Sequence, residues 1–265
     1  MSQIPYMRVG ILASGSRGNA TLFESDRTRV LVDAGINRKQ LERRAALLGF
    51  HNALDAIVIT HAHRDHVGHC LALAAFHDVP LYMSEATARA TDCDEARVFS
   101  PREPFNIGDL VLSPLPLPHD AAQVALRISD GYSDATICTD LGEVPPSLPE
   151  FLAGSDILLI ESNHDLQMLR DGPHPDFVKR RIASARGHLS NMQTHALLRA
   201  IAHTLKSVVL MHLSESNNNA PLALATALDA LDGRPVALNS AHQDFALRIE
   251  SHRRAPAQLR FAFAS

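Results

Sequence analysis

Tryptophan is absent from these 265 residues, and tyrosine and cysteine occur three times each. Cys70, Cys93 and Cys138 are odd in number and contain no C-x-x-C pair, which argues against a disulfide framework or a thiolate zinc knuckle and leaves buried or free thiols. No apolar stretch approaches the roughly 18 to 20 residues that cross a bilayer, since Ile157 to Ile160 and Val208 to Met211 are only strand-length runs. Met1 to Arg8 lacks a charged start followed by a long apolar segment, so no export signal is read and a cytoplasmic location is expected. Positive charge is not in excess either: 25 Lys and Arg stand against 29 Asp and Glu, for a formal net charge of -4. A polyanion would find no global attraction and would have to meet a local patch, for which Lys179-Arg180-Arg181, with Arg170 and Arg186 nearby, is the one candidate. Fixed-period repeats and low-complexity segments are also missing.

The chain has an ordinary globular composition, 46% hydrophobic and 20% charged. Its length lets it bury about 70 to 75% of its unfolded surface without covalent or metal staples, so residues 1–265 are expected to form one domain. Arg8 to Ala13, Thr21 to Glu24 and Arg29 to Asp33 read as strands, the first two separated by the turn-rich Ser14-Gly15-Ser16-Arg17-Gly18-Asn19. A helix over Asn37 to Leu48 and a strand over Ala56 to Thr60 follow, then a helix over Val67 to Phe76. Further strands are read at Leu110 to Leu117, Val124 to Ile128 and Ala135 to Thr139. Pro114, Pro116 and Pro118 make the first of these an edge or irregular strand. Beyond Ser155 the pattern alternates, with strands at Asp156 to Ile160 and Ser207 to Met211 and helices at Asp176 to Ser184, Asn191 to Leu205 and Ala220 to Leu231. Phe245 to Ile249 returns to a sheet, and Ser190 with Gln193 forms a capping box. Strands first and alternation later predict an α/β fold of sheets covered by helices.

Histidine is abundant, with 15 residues, and four potential metal ligands crowd into His61-Ala62-His63-Arg64-Asp65-His66 at the end of a predicted strand. Side-chain direction repeats every second residue in extended chain, so His61 and His63 face one way and can chelate one ion. The turn that follows can carry Asp65 and His66 to a second. Imidazole nitrogen and carboxylate oxygen suit Zn, Mn or Fe, so the spacing names a site more firmly than a metal. His119, Asp140 and His212 each stand just after another predicted strand. Each alone is an ordinary turn or capping residue; together they supply what the cluster lacks.

The order His-x-His-x-Asp-His, His, Asp, His resembles the metallo-β-lactamase superfamily. That resemblance spans nearly the whole chain and implies a four-layer αββα sandwich with a dinuclear centre. It implies that His61, His63 and His119 hold one ion, that Asp65, His66 and His212 hold the other, and that Asp140 bridges. Leu31-Val32-Asp33-Ala34-Gly35 looks like the superfamily's first motif, whose Asp supports the ligand loop. Finer similarity, at Ser14 to Asn19, Glu161 to Asp165, Gly187 to Asn191 and His212 to Asn219, points to the YycJ-type (WalJ/VicX-type) branch of metal-dependent hydrolases. Ser14, Asn163 and His164 are expected substrate-binding positions, although the Ser14 loop lacks the phosphate-loop pattern and also fits a tight hairpin turn. His188 resembles the non-ligand histidine of the tRNA 3′-processing endonuclease, which assists the leaving group. With Asp65 it is expected to be catalytic.

The implied function is a phosphodiesterase or nuclease, a 5′ exonuclease in particular, using two divalent ions, Zn or Mn above Fe, to activate hydroxide. Nucleic acid or a nucleotide phosphodiester is the implied partner, with no membrane. About 70 residues separate Asp140 from His212. That is too few for the extra domain of processing-type ribonucleases, so grip must come from the core or from a homodimer. A thioester or amide hydrolase of the same fold, and a non-catalytic metal-binding partner of a signalling system, are the alternatives.

Overall fold

Apolar runs with alternate residues facing opposite ways dictate the layering. The computed structural model describes residues 7–251. In it the first sheet contains β1 (Arg8–Ala13), β2 (Ala20–Glu24), β3 (Arg29–Val32), β4 (Ala56–Val58), β5 (Leu81–Ser84) and β6 (Arg97–Phe99), side by side in that order. The second contains β7 (Phe105–Ile107), β8 (Leu110–Leu117), β9 (Gln123–Ser129), β10 (Asp134–Cys138), β11 (Ile157–Glu161), β12 (Ser207–Met211) and β13 (Ala237–Ser240). The last strand, β14 (Leu247–Glu250), returns to the first sheet and pairs antiparallel with β1. Strands β3 to β6 run parallel, as do β10 to β13, whereas β1, β2, β7, β8 and β9 pair as antiparallel neighbours.

Val30, Val32, Ala56 and Val58 of the first sheet meet Ile157, Leu159, Val209 and Met211 of the second in one core between the sheets. The residues between them point outward. Leu31, Ile57 and Ile59 pack under α1 (Arg38–Leu47), α3 (Cys70–His77) and α4 (Glu85–Ala90) through Leu41, Leu73 and Ala88. Leu158, Ile160, Val208 and Leu210 pack under α5 (Leu148–Leu152), α8 (Asn191–Ile201) and α9 (Ala220–Leu231). Parallel strands covered on both faces need continuous apolar sequence, which is how these runs read. The result is the helix, sheet, sheet, helix order expected of the αββα sandwich. Three short helices, α2 (Arg64–Val67), α6 (Leu166–Asp171) and α7 (Asp176–Ile182), stand apart from these layers.

Several details differ from the sequence reading. The helix expected over Val67 to Phe76 is broken at Gly68 and His69, because the His69 amide donates to Ala34 O and the Ala34 amide to His66 O. Tertiary bonds there outbid helix continuation. The Asn191 helix stops at Ile201 and tightens into a single 3-10 turn at Ala202–Thr204. β8 has β9 on one side along its length, but on the other side β7 pairs only with Leu110 through Leu112. Beyond Ser113 that outer edge has no strand partner among the described residues, and Pro114 and Pro116, which cannot donate, lie there. All three cysteines are buried and free. Among the described residues no helix is long and apolar enough to cross a membrane. Most of Met1 to Arg8, read above for export, lies outside the described residues.

Candidate metal centre at the strand ends

Asp33, Asp140 and His212 follow β3, β10 and β12, and all three adopt left-handed backbone, with φ of 62°, 59° and 54°. Residues other than glycine visit this region seldom and at a cost, so three such turns at one edge mark backbone bent to aim side chains. Gly35 belongs to the same construction. A Cβ there would stand 1.8 Å from Asp65 O, so only glycine lets the β3 turn close on the ligand loop.

The chain leaving β4 bends at Thr60 and Ala62, and His63, itself extended with φ -68° and ψ 144°, stands just before α2. His61 and His63 still share a side, their ring centroids 4.6 Å apart. His119, at the end of β8, joins them in a trio whose ligand atoms lie within 4.8 Å of one another. Through α2, Asp65 and His66 meet His212 in a second trio of the same kind, and Asp140 groups with His61 and His66. The seven residues expected from sequence are thus gathered at one edge, with Asp140 touching His66 at 3.2 Å and His212 at 3.4 Å.

Each imidazole has one nitrogen held from behind, which fixes the other toward the centre. His66 Nδ1 donates to Asp33 Oδ2 at 2.7 Å, and Asp33 also accepts from the Thr60 amide and hydroxyl. His212 Nδ1 faces Glu161 Oε1 at 3.1 Å, His63 Nε2 faces Asp120 Oδ1 at 3.1 Å, His119 Nδ1 faces Gly187 O at 3.1 Å, and His61 Nδ1 faces the Thr60 hydroxyl at 3.1 Å. On the inner side His61 Nε2, His212 Nε2 and Asp140 Oδ2 are buried and make no hydrogen bond. A buried polar atom left without a hydrogen bond costs about 1 to 3 kcal/mol, and each of these three belongs to a group whose ligand atoms lie within 4.8 Å of one another, which fits a ligand that supplies positive charge.

The electrostatics agree. Burial, and then His66, hold His61 well below its ordinary value, so its inner nitrogen keeps a lone pair. Against desolvation, the nearby His212 and His66 imidazoles, 3.5 and 3.4 Å from its Oδ2, keep Asp65 ionised, and the charges of His212 and His66 do the same for Asp140. His212, opposed by burial, is pushed up to about 10 by Asp140, Asp65 and Glu161. The imidazoles thus hold protons to balance buried carboxylates, a charge that a divalent cation supplies equally well. Nitrogen and oxygen donors without thiolate suit such a cation.

His188 lies beside this centre, its ring 5.2 Å from His212 and 5.5 Å from His119. Its Nδ1 donates to Glu161 Oε1 at 2.9 Å, and although burial lowers its pKa, the Glu161 carboxylate raises it above the ordinary value. Glu161 is fully buried; against that desolvation, His188 and His212 hold it down to about 2, and the amides of Asp140, Leu141 and Leu189 also donate to it. Ser14 and Asn163 are turned to the His212 main chain: Ser14 Oγ accepts its amide at 2.8 Å and Asn163 Nδ2 donates to its carbonyl at 2.9 Å. His164 is buried with neither ring nitrogen hydrogen-bonded, and burial lowers it to about 4.

Three participants escaped the sequence reading as site residues. Asn19 places its side-chain amide 2.9 Å from His66 Nε2 and 3.2 Å from Asp65 Oδ2, across the β1–β2 turn. Asp120 and Glu161 are the carboxylates behind His63, His212 and His188. Their signal was adjacency: Asp120 follows His119 directly, and Glu161 opens the Glu161-Ser162-Asn163-His164-Asp165 run at a strand end.

A family model described as a beta-lactamase superfamily domain matches residues 28–213. The chain is 34% identical over 246 residues to the exodeoxyribonuclease WalJ of Streptococcus pneumoniae serotype 2, covering 87% of this chain and 90% of that protein. It is 31% identical over 248 residues to the exodeoxyribonuclease YycJ of Bacillus anthracis, covering 89% and 94%. Among solved structures, the metallo-β-lactamase fold protein YhfI of Bacillus subtilis superposes with a TM-score of 0.71 at 20% identity, over 92% of this chain and 100% of that one.

Proposed function

The chain belongs to the metallo-β-lactamase-fold superfamily, in its WalJ/YycJ-type branch, and on that footing we propose that it is a metal-dependent exonuclease hydrolysing phosphodiester bonds in DNA. One observation carries the reading: a ring of buried and half-buried donors, its imidazoles each fixed from behind, has His188, hydrogen-bonded to Glu161, at its rim. The names of the relatives support the choice of bond and polymer. His61, His63 and His119 would hold one divalent ion and Asp65, His66 and His212 the other, with Asp140 as a further ligand beside His61 and His66. Bound there, Zn or Mn supplies a nucleophilic water at neutral pH and neutralises phosphate oxygens. The protein's own part is to place these donors and to hold a proton. Glu161 accepts from His188 Nδ1, which leaves Nε2 to protonate the departing oxygen as the phosphorus–oxygen bond breaks. Asn163 and Ser14 support this by clamping the His212 backbone.

Product analysis on end-labelled single- and double-stranded DNA and RNA, with and without a 5′ phosphate and under Mn or Zn, tests the proposal. Mononucleotide release from a 5′ end is expected, and the same protein should leave S-lactoylglutathione and a β-lactam intact. Hydrolysis of either of those instead of the nucleic acid overturns it. His188→Ala should slow cleavage by about 10² to 10⁴ with metal content unchanged. An unaltered rate would return His188 to a capping role.

A further inference from the structure

Within the segment between β11 and α8, α7 presents side chains that hold no core together. No residue of α7 is buried, and Phe177 is 68% exposed. Phe177, Arg180 and Arg181 stand at helical spacing on one face, Phe177 about one turn, roughly 5.4 Å of backbone rise, before the two arginines. That face adjoins the metal centre. Arg181 Nε donates to Asp120 Oδ2 at 2.9 Å, while Asp120 Oδ1 lies 3.1 Å from His63 Nε2. Arg186 Nε donates to His119 O at 3.0 Å.

The helix is also fixed to the backbone that carries His188. The His188 amide donates to Ile182 O at 2.9 Å. A Cβ on Gly187 would stand 2.2 Å from the carbonyl oxygens of both Arg181 and Ile182, so the close approach requires glycine. α7 therefore keeps a set distance from the reacting centre. A basic run on a helix is ordinarily a solvated face, and one exposed phenylalanine is ordinary too. An exposed ring one turn from a guanidinium at the mouth of a metal centre, in a chain of net charge -4, is not explained by solvation.

Resting on the nuclease reading above, we propose that α7 is the grip for a single nucleic-acid strand, with a base stacked on Phe177 and flanking phosphates held by Arg180 and Arg186. Only an unpaired base offers its face to an aromatic ring, whereas phosphates of single strand and duplex attract cations alike. The grip thus selects strands whose end is open before the first phosphodiester reaches His188. Arg181, committed to Asp120, joins the grip to the His63 side of the centre.

The test compares the full-length metal-loaded protein with Phe177→Ala, Phe177→Trp and Arg180→Ala. Dissociation constants are measured for fluorescent phosphorothioate single strand and duplex, alongside turnover of bis(4-nitrophenyl) phosphate. Phe177→Ala should weaken single-strand binding by about ten-fold or more and barely change duplex binding, while Phe177→Trp restores affinity. Arg180→Ala should weaken both and lower the salt dependence by about one phosphate contact. Small-diester turnover should be unchanged throughout. Unchanged single-strand affinity in Phe177→Ala overturns the proposal, as does an equal loss on duplex or a parallel fall in small-diester turnover. If wild-type protein cleaves DNA while Phe177→Ala matches it in binding, the grip fails and the nuclease reading stands. If wild-type protein cleaves no phosphodiester yet Phe177→Ala loses strand affinity, the nuclease reading fails and the grip stands.

Discussion

Opposite ends of β3 carry two buried polar clusters that satisfy their charges differently. At the Arg29 end, Glu24 and Arg29 are almost fully buried and pair with each other, with Arg29 Nε donating to Glu24 Oε2 at 2.6 Å. Arg8 pairs with the same carboxylate, Arg29 reaches the Asn52 carbonyl, and its amide donates to Asp55 at 2.7 Å. That cluster closes on itself. At the Asp33 end the outer nitrogens are equally well held, yet His61 Nε2 and His212 Nε2 point inward without a hydrogen bond. The lesson is that burial and charge alone do not distinguish a structural ion pair from a binding site. What separates them is which atoms remain unpaired and whether they converge.

The comparison breaks most sharply at Asp65. Asp65→Ala should abolish DNA cleavage while the thermal unfolding profile stays near that of the parent, because the cluster to which it belongs serves a ligand rather than the fold. Retained cleavage would show that the second trio is not a metal site. Glu24→Ala is the mirror experiment. It leaves a buried guanidinium uncompensated and should cost about 3 to 5 kcal/mol in denaturant unfolding, with turnover per folded molecule unchanged. A loss of under about 1 kcal/mol would mean that water reaches that end and the closed-cluster description is wrong. The smallest effect is expected at Asp120, whose Oδ1 lies 3.1 Å from His63 Nε2 and 3.2 Å from His119 Nε2 and so orients this pair of rings. Asp120→Asn should weaken metal binding by calorimetry about 10- to 100-fold, and Asp120→Glu should recover part of it. Equal affinity in all three proteins would remove Asp120 from the support of His63.

Legibility followed distance along the chain. His61, His63, Asp65 and His66 could be read together because short sequence spacing and one turn place them, and those are local rules. His119, Asp140 and His212 were legible only as strand-end residues, and the resemblance to a known family grouped them. Sheets covered by helices were readable from strand-length apolar runs and their alternation with helices, whereas the two-sheet, four-layer order came from the resemblance to a known family. The short elements between Leu81 and Ile107 were not, since three- and four-residue strands carry too little periodicity to register. The break at Gly68 and His69 was likewise invisible, because its cause is a pair of hydrogen bonds to Ala34, over thirty residues away.

Residue type and local spacing were enough to establish a globular composition, sheets flanked by helices and a donor set for divalent cations. Chemistry that depends on side-chain identity survives in a linear string. Tautomer choice at each imidazole, the inward aim of unpaired atoms and the link from Arg181 through Asp120 to His63 emerge only when β4, β8, β10, β11 and β12 end at one edge. These properties are distances between residues far apart in the chain, and packing of the two sheets sets them.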